Sequence, residues 1–407
     1  VTGVVASVSG FATSFALVIA GLVAVGATDS QVSSGLLVLC LTVGLTSIAF
    51  GWIFRMPITT AWSTPGAALL VAAGSNGADF SAAVGAFIVC GALILLTGLW
   101  PWLGKLIGRI PKPIASAMLA GILFPICLAP VTAVIQYPIL AAPILIAWLV
   151  VLRFSPRWAV PAAMLVAVIV IAVSAGSDWM SEAQIAPQLT FVAPVFDPVV
   201  IVSLGVPLFI VTMAGQNIPG FVVLSTFDYT ASPRPILIGT GAASAIGALF
   251  GGHAINLAAI NAAINASPGA HPDASKRWIA TVTAGVVTLI LGLGASAATA
   301  LSAVSPPILI IAVAGLAVVG ALITSITGSL EEPPHRTTAI ATFLVTASGL
   351  TILGIGSAFW GLVVGAIFFA WLGLRRRDRT VVSANAVSAN AISESAPAAS
   401  SAPDATQ

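Results

Sequence analysis

Charge is what this chain has least of. Only 6% of its 407 residues are Asp, Glu, Lys or Arg, where a soluble domain carries about a quarter. With 59% hydrophobic residues and a mean hydropathy of +1.12, that scarcity excludes a water-exposed globular surface. Cysteine is scarce too. Cys40, Cys90 and Cys127 stand alone in apolar runs without CxxC spacing, so they read as small packing residues and not as a disulfide or metal site. The sequence has no HExxH, no paired intramembrane carboxylates and no Cys/His set, which removes the usual equipment of an intramembrane enzyme; no cofactor or metal is expected. The net charge of +2 comes largely from the cluster Arg375–Arg379. That cluster reads as an anchor beside anionic lipid headgroups, and no nucleic-acid partner is expected. No cleavable leader is expected either, because the first apolar run is too long and lacks a basic start. Opening at Val1 without Met, the chain is expected to lack some N-terminal residues.

What the chain does have is a succession of apolar runs of about 20 residues, the length that spans a bilayer as a helix. Barrel strands would alternate apolar and polar residues over shorter segments, so the expected class is an all-α polytopic membrane protein. Fourteen runs can be read, roughly 4–26, 33–54, 57–74, 80–104, 113–133, 137–152, 159–176, 199–222, 235–250, 252–268, 278–300, 307–329, 338–354 and 357–374. On that count every Lys and Arg follows an even-numbered span: Arg55; Lys105, Arg109 and Lys112; Arg153 and Arg157; Arg234; Lys276 and Arg277; Arg336; and the tail cluster. The other loops carry only Asp29, Asp79, Asp178, Glu182 and Asp197, or no charge. Cytoplasmic loops collect Lys and Arg, so both termini are expected inside.

The longest polar connection, 177–198, divides the membrane part into seven spans and seven. The expected organisation is a first repeat over 1–178, an extracellular connection over 179–198, a second repeat over 199–374, and a disordered cytoplasmic tail over 375–407 rich in Ser, Ala, Asn and Pro. An odd number per half inverts the second relative to the first, as in many secondary transporters. Pro113-Ile114 with Ala120-Gly121 in span five matches Pro307-Ile308 with Ala314-Gly315 in span twelve.

Spans three and ten are irregular. Span three reads Met56-Pro-Ile-Thr-Thr-Ala-Trp-Ser-Thr-Pro-Gly66, in which Thr64-Pro65 looks like an N-cap and first helical residue. Span ten reads Gly251-Gly-His-Ala-Ile-Asn256, in which two glycines break one helix and Asn256 can cap the next. Each is expected to be a short extended stretch leading into a half helix that begins near mid-membrane; simple kinking by Gly and Pro is the plainer alternative. Two half-helix N-termini facing one another suit an anion, particularly a carboxylate, without a buried cation. The donors expected are the amides around Ser63, Thr64, Gly66 and Leu257, helped by the Ser63, Thr64 and Asn256 side chains. Trp62 is a candidate wall for a ring. Gln216 and Asn217 are adjacent amides in an apolar helix, serving either interhelical bonding or a ligand. His253, the one Asp, Glu, His, Lys or Arg in the interior of a span, is either a proton carrier or a neutral residue capping the broken helix or bridging a water. Ser9, Thr13 and Ser14 read as hydroxyls bonding back to their own helix, and Asn261 with Asn265 as helix glue or site lining.

The segments Arg55–Leu69, Gly215–Gly220 and Gly251–Asn256 together resemble the bacterial benzoate:proton symporter family, a likeness covering residues 1–374. That family is related to the uracil:proton symporters. The resemblance implies fourteen spans in two inverted sevens, a core domain of spans 1–4 and 8–11, a gate domain of spans 5–7 and 12–14, and strands in spans three and ten. It further implies a bacterial inner-membrane location, an aromatic carboxylate imported with a proton, and a possible homodimer. Where the uracil carriers hold Glu in spans eight and ten, this chain has Gln216 and the residues around Ile255 and Asn256, which fits an anionic cargo. The remaining alternatives are a carrier of the same fold for a nucleobase or inorganic anion and, further off, an anion channel.

Overall fold

The computed structural model describes residues 1–74, 79–108, 110–175 and 186–372. Asp178, Glu182, the cluster Arg375–Arg379 and the tail expected over 375–407 lie outside the described residues. The fold is mostly helical. Seven helices among the described residues have the length and apolarity to cross a membrane: Thr2–Ala24, Asp29–Phe54, Phe80–Leu99, Lys112–Gln136, Pro198–Thr226, Ala274–Gly292 and Pro307–Leu330. Thr64–Ala73, Pro138–Phe154, Trp158–Ser174 and Ser357–Leu372 are shorter apolar helices.

Most runs became helices where their apolar stretches lie, and the departures have local causes. The chain opens with α1 (Thr2–Ala24) and α2 (Asp29–Phe54), the latter begun by a capping box between Thr28 and Gln31. The fourth run, expected to reach 104, stops at Leu99. Trp100 precedes Pro101 and is extended at φ −115° and ψ 97°, so α4 (Phe80–Leu99) gives way to a separate short α5 (Pro101–Ile107). Three helices follow: α6 (Lys112–Gln136), α7 (Pro138–Phe154) and α8 (Pro156–Ala175). The eighth run is one helix, α9 (Pro198–Thr226), loosened into π-helical stretches at Ile201–Gly205 and Met213–Asn217. After α10 (Pro233–Ala248), the eleventh run is split at Leu293-Gly294 into α12 (Trp278–Gly292) and α13 (Ala295–Ala303). Beyond α14 (Pro307–Leu330), the thirteenth run ends early. Its helix α15 (Arg336–Ala347) is followed by a tight hairpin, Thr351–Ile352 against Ile355–Gly356, with Leu353 and Gly354 at positive φ, before the final helix Ser357–Leu372.

The irregular third and tenth runs are the centre of the molecule. Strand β1 (Thr60–Trp62) pairs antiparallel with β2 (Ile255–Leu257), in the register Thr60↔Leu257, Ala61↔Asn256 and Trp62↔Ile255. Two further backbone bonds lengthen the ribbon, from the Ser63 amide to the Ala254 carbonyl and from the Ala258 amide to the Thr59 carbonyl, both 2.9 Å. A two-stranded ribbon in an apolar interior has outward-facing amides that must find partners. Helix side chains supply three of them. Ser47 Oγ accepts from the Thr60 amide at 3.0 Å, Ser244 Oγ from the Ile255 amide at 2.9 Å, and Asn217 Oδ1 from the Leu257 amide at 2.9 Å. Each strand then runs into a short helix, α3 (Thr64–Ala73) and α11 (Ile260–Ala266). The far end of α11 is closed by the buried Arg277, whose guanidinium donates to the carbonyls of Ala266, His271 and Pro272.

Glycine lets the surrounding helices touch backbone to backbone. A Cβ on Gly285 of α12 would stand 2.7 Å from the Gly44 carbonyl oxygen of α2, and one on Gly241 of α10 would stand 2.7 Å from that of Gly91 on α4.

Candidate functional site

The first half helix is capped one residue earlier than its sequence suggests. Ser63, extended at φ −73° and ψ 94°, is the N-cap, and its Oγ accepts from the Gly66 amide at 3.1 Å. Thr64 therefore occupies the first helical position and Pro65 the second. The Ser63 hydroxyl also meets Thr212 Oγ1 at 2.8 Å, which pins the cap to α9.

That cap redistributes the expected donors. The Ser63 amide goes to Ala254 O, the Gly66 amide to Ser63 Oγ and the Leu257 amide to Asn217 Oδ1. Three of the four expected amides are thus consumed inside the fold, because a backbone donor sealed from water costs about 1–3 kcal/mol when unpaired. Thr64 differs. Its amide has no partner among the described residues, it is half-buried, and its hydroxyl is likewise unclaimed. On the second half, Asn256 does not cap a helix. It lies inside β2, and α11 starts only at Ile260, after Ala259, with no side-chain cap. With its amide oriented to satisfy both ends, Asn256 accepts from the Ser63 amide at 3.2 Å and donates to the Leu257 carbonyl at 2.7 Å. The free first-turn amides of this helix therefore begin at Ile260 and not at Leu257.

The two adjacent amides of α9 separate in role. Asn217 is fully buried and holds β2, while its Nδ2 donates to Met213 Sδ at 3.2 Å. Gln216 sits within the same π-helical stretch and is half-buried, and its side chain makes no hydrogen bond among the described residues. Helices loosen this way frequently at functional sites. Asn261, at the start of α11, packs its side-chain amide onto Gly10 of α1, where any Cβ would collide with it. Asn265 is glue: its Nδ2 donates to Thr59 Oγ1 at 3.1 Å.

Trp62 is buried, and its indole Nε1 donates to Ser14 Oγ at 2.9 Å. Ser14 in turn donates to the Gly10 carbonyl of its own helix, as its spacing suggested. Two aromatic residues that the sequence reading missed complete this wall. Phe11 meets Trp62 edge-on with ring centroids 5.9 Å apart, and Phe15 stacks on Phe11 at 5.1 Å and 7°. Their i, i+4 spacing with Ser14 between them was the available signal.

His253 is buried beside the Phe87 ring. Its Nδ1 lies 3.1 Å from the Ala254 carbonyl, the same oxygen that accepts from the Ser63 amide. With Nδ1–H donated there, the neutral ring keeps its lone pair on Nε2, which has no partner.

A cavity of about 1160 Å³ opens between α9 and the facing helices α6 and α14. Lys112, Glu331 and Arg336 line its outer part, with Lys112 paired to Glu331, while Met118, Leu119, Ala214 and Gly215 line its deep end. A Cβ on Gly215 would stand 3.8 Å from both Leu119 Cδ2 and Pro65 Cγ, so the cavity ends against the start of α3.

A ribbon-and-half-helix centre inside a bundle of apolar helices, with a cavity reaching it from one face, is the build of a membrane transporter. Solved structures agree on the fold. The transmembrane domain of a cyanobacterium bicarbonate transporter, BicA, superposes with a TM-score of 0.61 at 16% identity, over 90% of this chain and 97% of that one. The murine Solute Carrier 26 family member A9 anion transporter in its inward-facing state gives 0.60 at 15% identity, over 92% and 68%. In sequence, residues 1–370 match the family of the benzoate membrane transport protein. The inner membrane protein YdcO of Escherichia coli (strain K12) is 38% identical over 373 residues, covering 91% of this chain and 95% of the relative. The benzoate membrane transport protein of Acinetobacter baylyi (strain ATCC 33305 / BD413 / ADP1) is 34% identical over 319 residues, covering 78% and 80%. The chain belongs to the benzoate membrane transport protein family.

Proposed function

We propose that this protein is a secondary active transporter that imports benzoate or a similar aromatic carboxylate together with a proton across the bacterial inner membrane. The observation that carries the reading is the unclaimed amide and hydroxyl of Thr64, at the start of α3, beside an aromatic wall. A carboxylate at that turn receives the Thr64 amide and hydroxyl and the positive end of the helix dipole, with Gln216 and Asn261 as side-chain donors. The ring lies against Phe11, Phe15 and Trp62. Asn217, Asn256, Gly66 and Leu257 act one step back: they build the ribbon and cap that hold Thr64 and Trp62 in place.

His253 is the proton carrier in this reading. Its Nε2 lone pair, buried and unpaired, is the protonation position, and its Nδ1–H ends on the carbonyl that anchors Ser63. Proton arrival and anion arrival are therefore coupled through one backbone oxygen. One anion moving with one proton transfers no net charge, so uptake follows the pH gradient and not the membrane potential, which is worth about 2.3 kcal/mol per charge per 100 mV.

The chain is read as fourteen spans in two inverted sevens, with both termini cytoplasmic. The pairwise packing supports this. The second span meets the eleventh through Gly44 and Gly285, and the ninth meets the fourth through Gly241 and Gly91, as a two-fold exchanging the halves requires. The cavity then opens to the cytoplasm between a core domain holding both half helices and a gate domain containing α6 and α14. Alternating access is the core sliding against the gate.

Labelled benzoate uptake into proteoliposomes under an inward proton gradient tests the reading. Protein-free liposomes are the control, because neutral benzoic acid crosses bilayers unaided. Saturable, protein-dependent accumulation that collapses with the gradient is expected. No excess over the control removes benzoate as cargo. Competition by uracil or bicarbonate in the same assay would instead favour the nucleobase or inorganic-anion carrier.

A further inference from the structure

Helix α2 ends where α12 begins, and three side chains meet at that level. Arg55 directly follows α2 in the left-handed conformation, at φ 52° and ψ 33°, so the helix stops there. Its guanidinium carbon lies 5.1 Å from the ring centre of Trp52 and 4.4 Å from that of Trp278, the first residue of α12. The two indoles meet edge-on, 5.6 Å apart and at 87°. Aromatic faces attract a cation through their quadrupoles, yet they do not take up its five N–H donors as a carboxylate or phosphate does. No hydrogen bond or ion pair claims Arg55 among the described residues, whereas Lys276, two residues before Trp278, is paired with Asp273 at 3.6 Å. Arg55 is thus an exposed cation, held in place by two rings and lacking an acid partner among the described residues.

An apolar face runs from this cation along both helices. On α12, Ile279, Val286, Ile290 and Leu293 are exposed, and steps of seven, four and three residues keep them on one side. On α2, the exposed Leu45 and Trp52 are also seven residues apart, with exposed Ile53 beside Trp52. The two helices close on one another through Gly44 and Gly285 at one level and through Trp52 and Trp278 at the other. From Ile279 to Ile290 the helix rises about 16 Å, at about 1.5 Å per residue, which is one leaflet of a hydrocarbon core about 30 Å thick. We propose that Arg55, Trp52 and Trp278 form a binding site for an anionic phospholipid, with its phosphate on the Arg55 guanidinium and its acyl chains along the exposed faces of α2 and α12. The site joins one unpaired cation to an apolar face one leaflet deep, a combination that matches an amphiphile and gives a free anion nothing for its second half. Indole rings favour the same depth, where one edge is wet and the other apolar.

The test is native mass spectrometry of the purified full chain, stripped of lipid in detergent and titrated with phosphatidylglycerol or phosphatidylcholine carrying the same acyl chains. Phosphatidylglycerol is expected to bind about five-fold more tightly at the first site filled, and Arg55→Gln should remove that preference. A basic residue beside anionic lipid contributes about 1 kcal/mol, which is that factor. Trp52→Leu keeps the cation and the apolar area but takes away one ring, and should lower the preference about two-fold. Lys112→Gln, an exposed cation already paired with Glu331, should leave the preference as it was. The readout is a ratio of two lipids on one protein, so the yield of a variant does not enter, and Trp52→Leu carries the test if Arg55→Gln does not fold. Equal binding of the two lipids by the unaltered chain, or a preference unmoved in either variant at this site, overturns the proposal. Loss of the preference in Lys112→Gln also overturns it, because attraction to the whole basic face would then suffice. Displacement of bound phosphatidylglycerol by excess inorganic phosphate overturns it in favour of a site for the free anion.

Discussion

Replacing Asn217 by Ala should loosen the centre of this protein without removing a ligand contact, and the structure sets the size of the effect. Asn217 is fully buried, and its Oδ1 is the partner of the Leu257 amide at 2.9 Å. The Leu257 amide lies on the outer edge of a two-stranded ribbon, where no neighbouring strand can replace the lost acceptor. Orphaning a buried donor costs about 1–3 kcal/mol. If that cost falls on local opening of β2, protection of the Leu257 amide against hydrogen exchange should drop by roughly 5- to 150-fold, whereas distant helix amides keep theirs. Gln216→Ala, one residue away, removes a side chain with no hydrogen bond, so exchange at Leu257 should stay as it was while benzoate affinity falls. The assay is exchange read by mass spectrometry on nanodisc-embedded protein, with calorimetric titration on the same samples. Unchanged protection of Leu257 in Asn217→Ala would refute the reasoning, because the amide would then have another acceptor. Equal behaviour of the two variants would refute the division of labour between these neighbours.

Thr64→Val keeps the shape of the first helical residue but deletes its hydroxyl, and should raise the apparent KM for uptake about ten-fold or more, since hydrogen bonds to charged groups contribute about 1.5–3 kcal/mol. His253→Gln should abolish gradient-driven accumulation while leaving exchange of labelled for unlabelled benzoate measurable in counterflow; retained accumulation would remove His253 from coupling. Ser63→Ala deletes the cap of α3 and should destabilise the protein by about 0.5–2 kcal/mol in equilibrium unfolding from mixed micelles. Lys112→Ala, which breaks an exposed ion pair with Glu331, should change stability by less than about 1 kcal/mol in the same measurement.

The broken third and tenth runs were legible because Pro, Gly and Thr disfavour helix at identifiable positions, and Met56–Gly66 and Gly251–Asn256 carry those residues in clusters. That the two strands pair with one another was not legible, since Trp62 and Ile255 are nearly two hundred residues apart. The same distance hid the fate of individual amides. Nothing local to Leu257 reveals that Asn217 will take its hydrogen, or that Ser47 and Ser244 will close the ribbon's edges. Thr64 looked like a cap because Ser63 and Thr64 are both capping types, and only the extended geometry of Ser63 decides between them. Phe11 and Phe15 were missed for another reason: their i, i+4 spacing around Ser14 marks one helix face, but in an apolar run a face lining a site and a face turned to lipid share that spacing.

The deep cavity has a consequence for where the membrane insulates. Filled with water, the space between α9 and α6 carries the conductivity of one bathing solution inward as far as Met118 and Gly215. Little protein then separates that solution from the first turn of α3, at the level of Leu119 and Pro65. A transmembrane voltage drops across whatever is non-conducting, so the field concentrates in the slab holding Thr64, Trp62 and His253 instead of spreading over the full bilayer. A charge displaced by a few ångströms there does the electrical work of a much longer journey through lipid. In the proposed cycle, pairing an anion with a proton would keep the loaded site indifferent to voltage at the point where voltage is steepest.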